Sequence, residues 1–262
     1  MDTEFWNTPF ELENGKCCAI TLGPVTAWVK RLDKELHTAL IREDSPDAGY
    51  LEKSMDTECT RDVDWTRYYA SNYSNINVLP ALPDLPLILI SSGEIKFLPG
   101  EEASYFIRLP LWFQILAEEK QKQEVIIDSP VTILSRTWSG APSTGFICYF
   151  LDRELWTGDP IQEADPFVVY CPITIQNESK KLVNLNRICL HAENLSVFSS
   201  FPVMITNTLT ITIRGDSERV QLADRPSKTF KGAKRVGKPR VKVSDNILSK
   251  SFSLIRQVTI SD

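Results

Sequence analysis

His37 and His191 are the only histidines of the chain and its first candidates for general bases. A Ser-His-Asp or Cys-His site needs a nucleophile, a base and an orienting group within hydrogen-bond reach. Either histidine could meet a cysteine in space, but no local sequence pattern favours it. We therefore interpret both as structural or exposed. The sequence predicts no catalytic residue and favours a protein that is not an enzyme.

Three further residues could bind zinc. Cys189 and His191 are two positions apart on a predicted strand, so their side chains share a face, and Cys171 could lie on a neighbouring strand. Zinc accepts such ligands, but the chain lacks a Cys-x-x-Cys pair or a second histidine nearby. The favoured interpretation is that Cys148, Cys171 and Cys189 are small apolar core residues. No metal and no cofactor are predicted.

Paired carboxylates perform acid–base chemistry in glycosidases, and Asp152 and Glu154 share a face of one predicted strand end. Acidic side chains in such positions are mostly exposed to solvent. We favour solvated acids over a catalytic pair here.

The loop GAPSTG, residues 140–145, offers backbone amides and hydroxyl groups that could hold an anion. A phosphate loop needs a following helix and usually a lysine, whereas here a strand follows, so a plain turn is favoured. Tryptophans near the loop could stack on a sugar or fill the core, and the core is favoured. A speculative ligand site around this loop comprises Trp138, Gly140, Asp152 and Trp156.

The basic segment, residues 225–243, has eight positive residues and no acid. It could bind nucleic-acid phosphates or anionic lipid, or it could dock on the chain's own body or remain a solvated loop, which is favoured. The whole chain carries a net charge of −5 although this segment contributes eight positive residues. The rest of the chain is therefore acidic and attracts the segment. Only Phe230 is available for base stacking. The candidate polyanion-binding residues are Lys228, Lys231, Lys234, Arg235, Lys238, Arg240 and Lys242.

Strands must position these residues, because short runs of β-branched and aromatic residues alternate with turn signals along the chain. Residues 131–138 and 145–151 predict a central hairpin whose second strand is apolar throughout and therefore covered on both faces. The pattern predicts an all-β, mainly antiparallel fold of one or more immunoglobulin-like β-sandwiches. Further strands are predicted at residues 17–22, 25–32, 35–42, 87–91, 95–98, 103–109, 167–176, 182–190, 202–214 and 219–222.

Some connections are also predicted. Pro99-Gly100 is a turn signal that should close a hairpin, and residues 177–181 should turn the strand 167–176 back onto 182–190. Residues 112–123 fit either a strand or a short helix. Residues 246–258 are interpreted as a short C-terminal helix, with a last strand as the alternative.

The acidic stretch 43–64 is a candidate linker. It predicts an N-terminal hairpin region, residues 1–70, and a main β-sandwich, residues 71–262, unless the chain forms one continuous domain. No apolar run reaches 18 residues and the N-terminus lacks the pattern of a signal peptide. The six cysteines are expected to be free, buried thiols. We therefore predict a cytoplasmic protein without a transmembrane segment.

Four sequence segments carry a family resemblance. They are RTWSGAPSTGFICYFLDR, CPITIQNESKKLVNLNRICLHAENLSVF, LPGEEASYFIRLPLW and SKSFSLIR. Together they resemble an uncharacterised bacterial family, domain of unknown function 432. The resemblance implies a β-rich fold and a coherent unit, and it implies no activity because none is assigned to the family. The acidic stretch and the basic segment have no counterpart in it.

Two functional hypotheses follow. The favoured one is a non-enzymatic β-sandwich that binds a protein partner, associates with itself, or binds a polyanion through the basic segment. It depends on the opposite charges of the body and the basic segment. The alternative is a small-ligand-binding protein or a carbohydrate- or metal-dependent enzyme, with its site near the central hairpin.

Overall fold

A computed structural model describes residues 5–43, 51–55, 58–59, 63–153, 155–215, 217–226, 228–230 and 232–241. Within these ranges the chain forms strands and two short 3-10 helices, Ala192–Asn194 and Lys228–Phe230. The predicted all-β, mainly antiparallel fold is confirmed. The strands are β1 (Phe10–Glu11), β2 (Cys17–Leu22), β3 (Val25–Leu32), β4 (Glu35–Arg42), β5 (Leu51–Met55), β6 (Thr66–Tyr69), β7 (Asn75–Ala81), β8 (Leu87–Phe97), β9 (Glu102–Pro110), β10 (Trp112–Glu119), β11 (Lys122–Pro130), β12 (Arg136–Ser139), β13 (Phe146–Leu151), β14 (Val168–Asn177), β15 (Val183–Leu190), β16 (Val197–Ser200), β17 (Val203–Thr206), β18 (Leu209–Arg214), β19 (Ser217–Leu222) and β20 (Lys234–Gly237).

The chain divides into two compact units that draw on separate stretches of sequence. Unit 1 comprises Met1–Ala81, Pro110–Thr132 and Asp165–Phe167, and unit 2 comprises the remainder. The division into residues 1–70 and 71–262 stays a prediction about independent domains. The C-terminal segment 246–258 lies outside the described residues, and residues 112–119 form a strand.

Unit 1 holds two antiparallel sheets, in the strand orders β5-β2-β3-β4-β6 and β1-β7-β10-β11. Burial alternates along β3: Val25, Ala27 and Val29 are fully buried and their neighbours are half-buried, as in a strand with one face toward the core. Tyr68 Oη donates a hydrogen bond of 2.9 Å to the carbonyl oxygen of Ile126, which links the two sheets of this unit. The strands predicted at residues 17–22, 25–32 and 35–42 are confirmed, and they form two successive antiparallel hairpins, β2–β3 and β3–β4.

The prediction of free thiols is wrong for one pair. Cys17 in β2 and Cys59 form a disulfide with a Cα–Cα distance of 6.0 Å. The other four cysteines, Cys18, Cys148, Cys171 and Cys189, are buried thiols outside the disulfide, as predicted. Sequence position alone did not reveal the pair, because 42 residues separate its members.

Unit 2 holds one sheet in the order β12-β13-β8-β15 and a larger one in the order β19-β18-β14-β17-β16-β20, with β9 also paired to β14. The predicted central hairpin is confirmed by the antiparallel pair β12–β13. Three pairs are parallel: β13 with β8, and β14 with both β17 and β18. The predicted strand 202–214 is interrupted at Asn207 and Thr208, and its halves, β17 and β18, pair in succession along β14, with Tyr170 opposite Ile205 and Ile173 opposite Leu209.

Two predicted hairpins in unit 2 are wrong. Gly100 adopts φ +81° and Glu101 N donates to Leu98 O, so the turn after β8 is present, but β9 leaves that sheet and pairs with β14. Likewise β15 pairs with β8 and not with β14. Each turn carries the chain from one sheet of the unit to the other.

Candidate functional site

Each histidine is held by a glutamate two residues away. His37 Nε2 lies 2.8 Å from Glu35 Oε2, and His191 Nδ1 lies 2.8 Å from Glu193 Oε1. The Arg67 guanidinium also donates to both carboxylate oxygens of Glu35, with distances of 2.8 to 3.0 Å. His37 therefore belongs to a surface charge network between β4 and β6.

The Glu35 network predicts a pH effect. Hydrogen bonds from Arg67 and His37 hold the pKa of the Glu35 carboxyl at about 2, below its usual 4.5. Because the folded state has the lower pKa, the network favours folding above pH 4.5, and this contribution is lost as the pH falls toward 2. We expect Arg67→Gln to raise the Glu35 pKa toward 4.5, measured by NMR titration of the side-chain carboxyl. Lys34→Gln removes the same charge beside Glu35 and should leave the pKa nearly unchanged; an equal shift would contradict the role of the hydrogen bonds.

The residues of the zinc hypothesis lie on different sheets. Cys171 lies in β14 and Cys189 in β15, and these strands belong to different sheets. The expectation that the two cysteines lie on neighbouring strands is therefore wrong. Burial raises the pKa of the Cys171 thiol to about 12, so it stays protonated at neutral pH. In the part of the chain that the structure describes, no group of three or more His, Cys, Asp or Glu could hold a metal ion.

The predicted ligand residues divide between two places. Trp138 and Gly140 lie at the central hairpin, and exposed Asp152 follows the end of β13. Trp156 pairs instead with Phe106, through backbone hydrogen bonds of 2.7 and 2.9 Å. Glu154 lies outside the described residues. A ligand site that joins all four predicted residues stays a prediction.

The hairpin loop has a glycine-dependent geometry. Gly140 adopts φ +100°, and a Cβ there would lie 2.8 Å from the Cα of Gly145. A Cβ on Gly145 would lie 2.4 Å from Trp138 Nε1, so the indole packs directly over this glycine. The tight loop therefore fixes the tryptophan against the hairpin backbone.

An edge patch of three side chains lies on one face of β12 and β13: Arg136, Trp138 and Ile147. Trp138 and Ile147 are directly paired across the strands and are 50% and 53% exposed. Arg136 lies with its guanidinium carbon 6.0 Å from the centre of the Tyr149 ring. The expectation that β13 is covered on both faces is wrong at Ile147, because β12 is the last strand of its sheet and nothing described covers this corner.

A second cluster surrounds Trp156. We call Phe106, Trp156, Tyr170, Phe198 and Phe230 the aromatic cluster. The indole lies 5.7 Å from the Tyr170 ring and 6.0 Å from the Phe106 ring, and the Phe106 ring meets Phe230 edge-on at 6.3 Å. A Cβ on Gly158 would lie 2.2 Å from the indole of Trp156, so a glycine is needed for the backbone to pass this close to the ring. Trp156 is therefore partly buried against the aromatic cluster. The expectation that the tryptophans near the loop fill the core is wrong for Trp138, which is 50% exposed.

The basic segment lies on unit 2 where it is described. Phe230 is 6% exposed and fills the aromatic cluster, so it is not available for base stacking. β20 extends the larger sheet by pairing with β16. Arg240 Nε donates to Leu82 O at 2.6 Å, and its backbone N donates to Glu193 O at 2.8 Å. This agrees with docking on the chain's own body.

The charged ends of the segment remain at the surface. Lys234, Arg235 and Lys238 are exposed and Arg240 is half-buried. The Arg235 guanidinium carbon lies 5.5 Å from the centre of the Phe198 ring. Lys231, Lys242 and the side chain of Lys228 lie outside the described residues. Four of the predicted polyanion-binding residues therefore belong to the part of the segment that lies on unit 2: Lys234, Arg235, Lys238 and Arg240.

Sequence reasoning missed two residues of this region. Phe106 and Arg108 alternate with Ile107 and Leu109 on β9, so the sequence marked their face as solvent-facing. Trp156 covers that face, with the Arg108 guanidinium carbon 5.6 Å from the centre of its ring. The available signal was an aromatic residue two positions before an arginine on the face of β9 that the sequence predicts to meet solvent.

Comparisons with known proteins give one family. A family model described as "Protein of unknown function (DUF432)" matches residues 6–256, nearly the whole chain. No curated protein and no solved structure matches the chain. Among the described residues, no helix has the length and apolar character needed to cross a membrane.

Proposed function

Because the chain belongs to the DUF432 family of proteins of unknown function, which brings no activity with it, we propose a function from geometry alone. The protein is a non-enzymatic interaction protein that binds a partner protein at the edge patch of unit 2. The pairing of half-exposed Trp138 with half-exposed Ile147 on an outer strand is the observation that carries this proposal.

Two features make the edge patch suitable for a protein partner. Large apolar side chains that remain exposed side by side gain free energy when a partner covers them, and tryptophan and arginine dominate the binding energy of many interfaces. Among the described strands β12 is the last of its sheet, so its outer edge has backbone groups that no other described strand pairs. An extended partner segment can add to such an edge through main-chain hydrogen bonds, while Trp138 and Ile147 select its side chains.

The test uses peptide selection followed by variants. Peptides selected from a random display library on the full chain should bind through the edge patch. We expect Trp138→Ala to weaken the selected peptides roughly 30-fold, the loss that corresponds to about 2 kcal/mol for a dominant interface residue. Isothermal titration calorimetry measures the affinities, and thermal melting checks that each variant is folded.

Tyr69→Ala is the matched control. Tyr69 is an exposed aromatic residue, 74% accessible, on the outer strand β6 of unit 1. Its removal should leave the selected peptides' affinities within about twofold of the wild-type values, since isolated exposed residues contribute little. If no selected peptide depends on Trp138, or if Tyr69→Ala weakens them equally, the edge patch is not the interaction surface.

A further inference from the structure

Two arginines of unit 2 present guanidinium groups over rings of the aromatic cluster. The guanidinium of Arg108 lies over Trp156 and that of Arg235 lies over Phe198, with carbon-to-centroid distances of 5.6 and 5.5 Å. Neither has an ion pair with a described carboxylate. Both are therefore positively charged groups that are held in place and still have donors to offer.

Arg108 carries the stronger indication of a missing partner. Its Nε is buried and has no hydrogen-bond acceptor among the described residues. A buried donor without an acceptor costs about 1–3 kcal/mol, and more when the group is charged. Such a group in a native protein requires an explanation, of which a bound ion is one. An anion at Arg108 would supply the acceptor.

The sheet places both arginines on one face. Tyr170, Ile205, Phe198 and Arg235 are paired in a row across β14, β17, β16 and β20, so their side chains point the same way. The Trp156 ring packs against the Tyr170 ring, and the Arg108 guanidinium lies over Trp156, which places Arg108 near the same face. Three strand spacings separate the Cα atoms of Tyr170 and Arg235, which is about 14 Å. A ligand that reaches both guanidiniums must therefore be an extended anion.

We infer that this face binds the phosphate backbone of single-stranded nucleic acid, with one phosphate at Arg108 and another near Arg235. Guanidinium groups stacked on aromatic rings retain a planar set of N–H donors that fits phosphate oxygens. A flexible phosphodiester chain can bring a phosphate oxygen to the half-buried Arg108 side chain, whereas a flat membrane surface contacts exposed cations more readily.

The test measures fluorescence anisotropy of a labelled single-stranded 12-nucleotide oligomer with the full chain over a series of salt concentrations. We expect Arg108→Gln and Arg235→Gln each to weaken binding about tenfold at low salt and to reduce the slope of log Kd against log salt by about 1. Arg108→Lys keeps the charge but loses the planar donors, so it should also weaken binding. Thermal melting identifies the folded variants, and Arg235→Gln at the surface keeps the test valid if an Arg108 variant fails to fold.

Arg219→Gln is the matched control, because Arg219 is an exposed arginine on β19 of the same sheet, and its row, through Thr212, meets β14 at Gln176, six residues from Tyr170. It removes the same charge and should change the affinity less than twofold. The inference is overturned if the oligomer does not bind, or if Arg219→Gln weakens it as much as the two test variants do. It is also overturned if phosphatidylserine vesicles, and not the oligomer, bind in a manner that depends on Arg108 and Arg235.

Discussion

Replacing Cys59 with serine is expected to lower the free energy of unfolding by about 4 kcal/mol. The disulfide to Cys17 closes a loop across a sequence separation of 42 residues, which includes β3, β4 and β5. Opening the loop restores conformational entropy to the unfolded chain, and the magnitude follows from the loop length. Since a typical domain is stable by only 5–15 kcal/mol, this loss is large.

Urea unfolding with and without a thiol reductant measures this effect. The reductant should destabilise the wild-type protein to the level of Cys59→Ser and leave the variant unchanged. The variant is thus its own control for other effects of the reductant on the four free cysteines, which are all buried. If the reductant destabilises both proteins equally, the disulfide is not the cause of the loss.

The same disulfide gives a test of where the protein acts. The cytoplasmic location stays a prediction, and stable disulfides are rare in the cytosol because thiol systems keep cysteines reduced. Alkylating the protein in intact cells before purification would trap any free thiols. Labelled Cys17 and Cys59 would agree with the cytoplasm, whereas an intact bond would indicate an oxidising compartment.

Strands were predictable from the sequence because alternation is a local property. In β3 the buried side chains follow the two-residue period, and the hairpin β12–β13 follows from a short loop between two apolar runs. Turn residues were equally readable: Gly100 has the positive φ that its place after Pro99 predicts. Local chemistry therefore sets the elements and many of their ends.

Strand partners were less predictable, because pairing is decided by contacts between distant parts of the chain. Neighbouring strands often pair, which made the β8–β9 and β14–β15 hairpins the reasonable expectation. In the fold, β14 instead pairs with β9 and, in succession along its length, with β17 and β18, the two halves of one predicted strand. Asn207 stabilises the break by accepting from Ser196 N and donating to Ala223 O. Only the folded structure brings those partners to Asn207.

The surfaces show the same limit. Trp138 and Trp156 were both singled out from the sequence, yet one is half-exposed and the other is partly buried against the aromatic cluster. The difference in exposure between the two tryptophans depends on residues far away in the chain, since Phe230 of the basic segment belongs to the cluster against which Trp156 packs. Residue type indicated which side chains matter, and topology decided what each of them can do.

Asn177 is the position where replacing a side-chain amide with a carboxyl group should lower the free energy of unfolding most. This asparagine is 1% exposed, and its Nδ2 donates to the carbonyl oxygens of Phe97, Leu98 and Lys181 at 2.9 to 3.0 Å. Its Oδ1 accepts from the backbone N and the Oγ of Ser179. The side chain thereby holds the end of β8 against the end of β14.

Asn177→Asp keeps the shape but places a carboxylate against three carbonyl oxygens, and we expect it to destabilise the fold by about 4 kcal/mol at neutral pH. Burial and the carbonyls disfavour the charged form, so the variant carboxyl has a higher pKa in the folded state than in the unfolded state. The folded variant then binds more protons, and its stability falls as the pH rises above about 4. Urea unfolding at several pH values measures the difference from the wild-type protein.

Asn72→Asp is the control, because it makes the same exchange at an exposed turn position. It should change stability by less than about 0.5 kcal/mol. The cost of Asn177→Asp should shrink at acidic pH, where the protonated carboxyl can again donate one hydrogen bond. A cost that is small, or that does not depend on pH, would mean that the carbonyls of Phe97, Leu98 and Lys181 do not need the Asn177 amide, and that β8 and β14 are held together by their apolar residues alone.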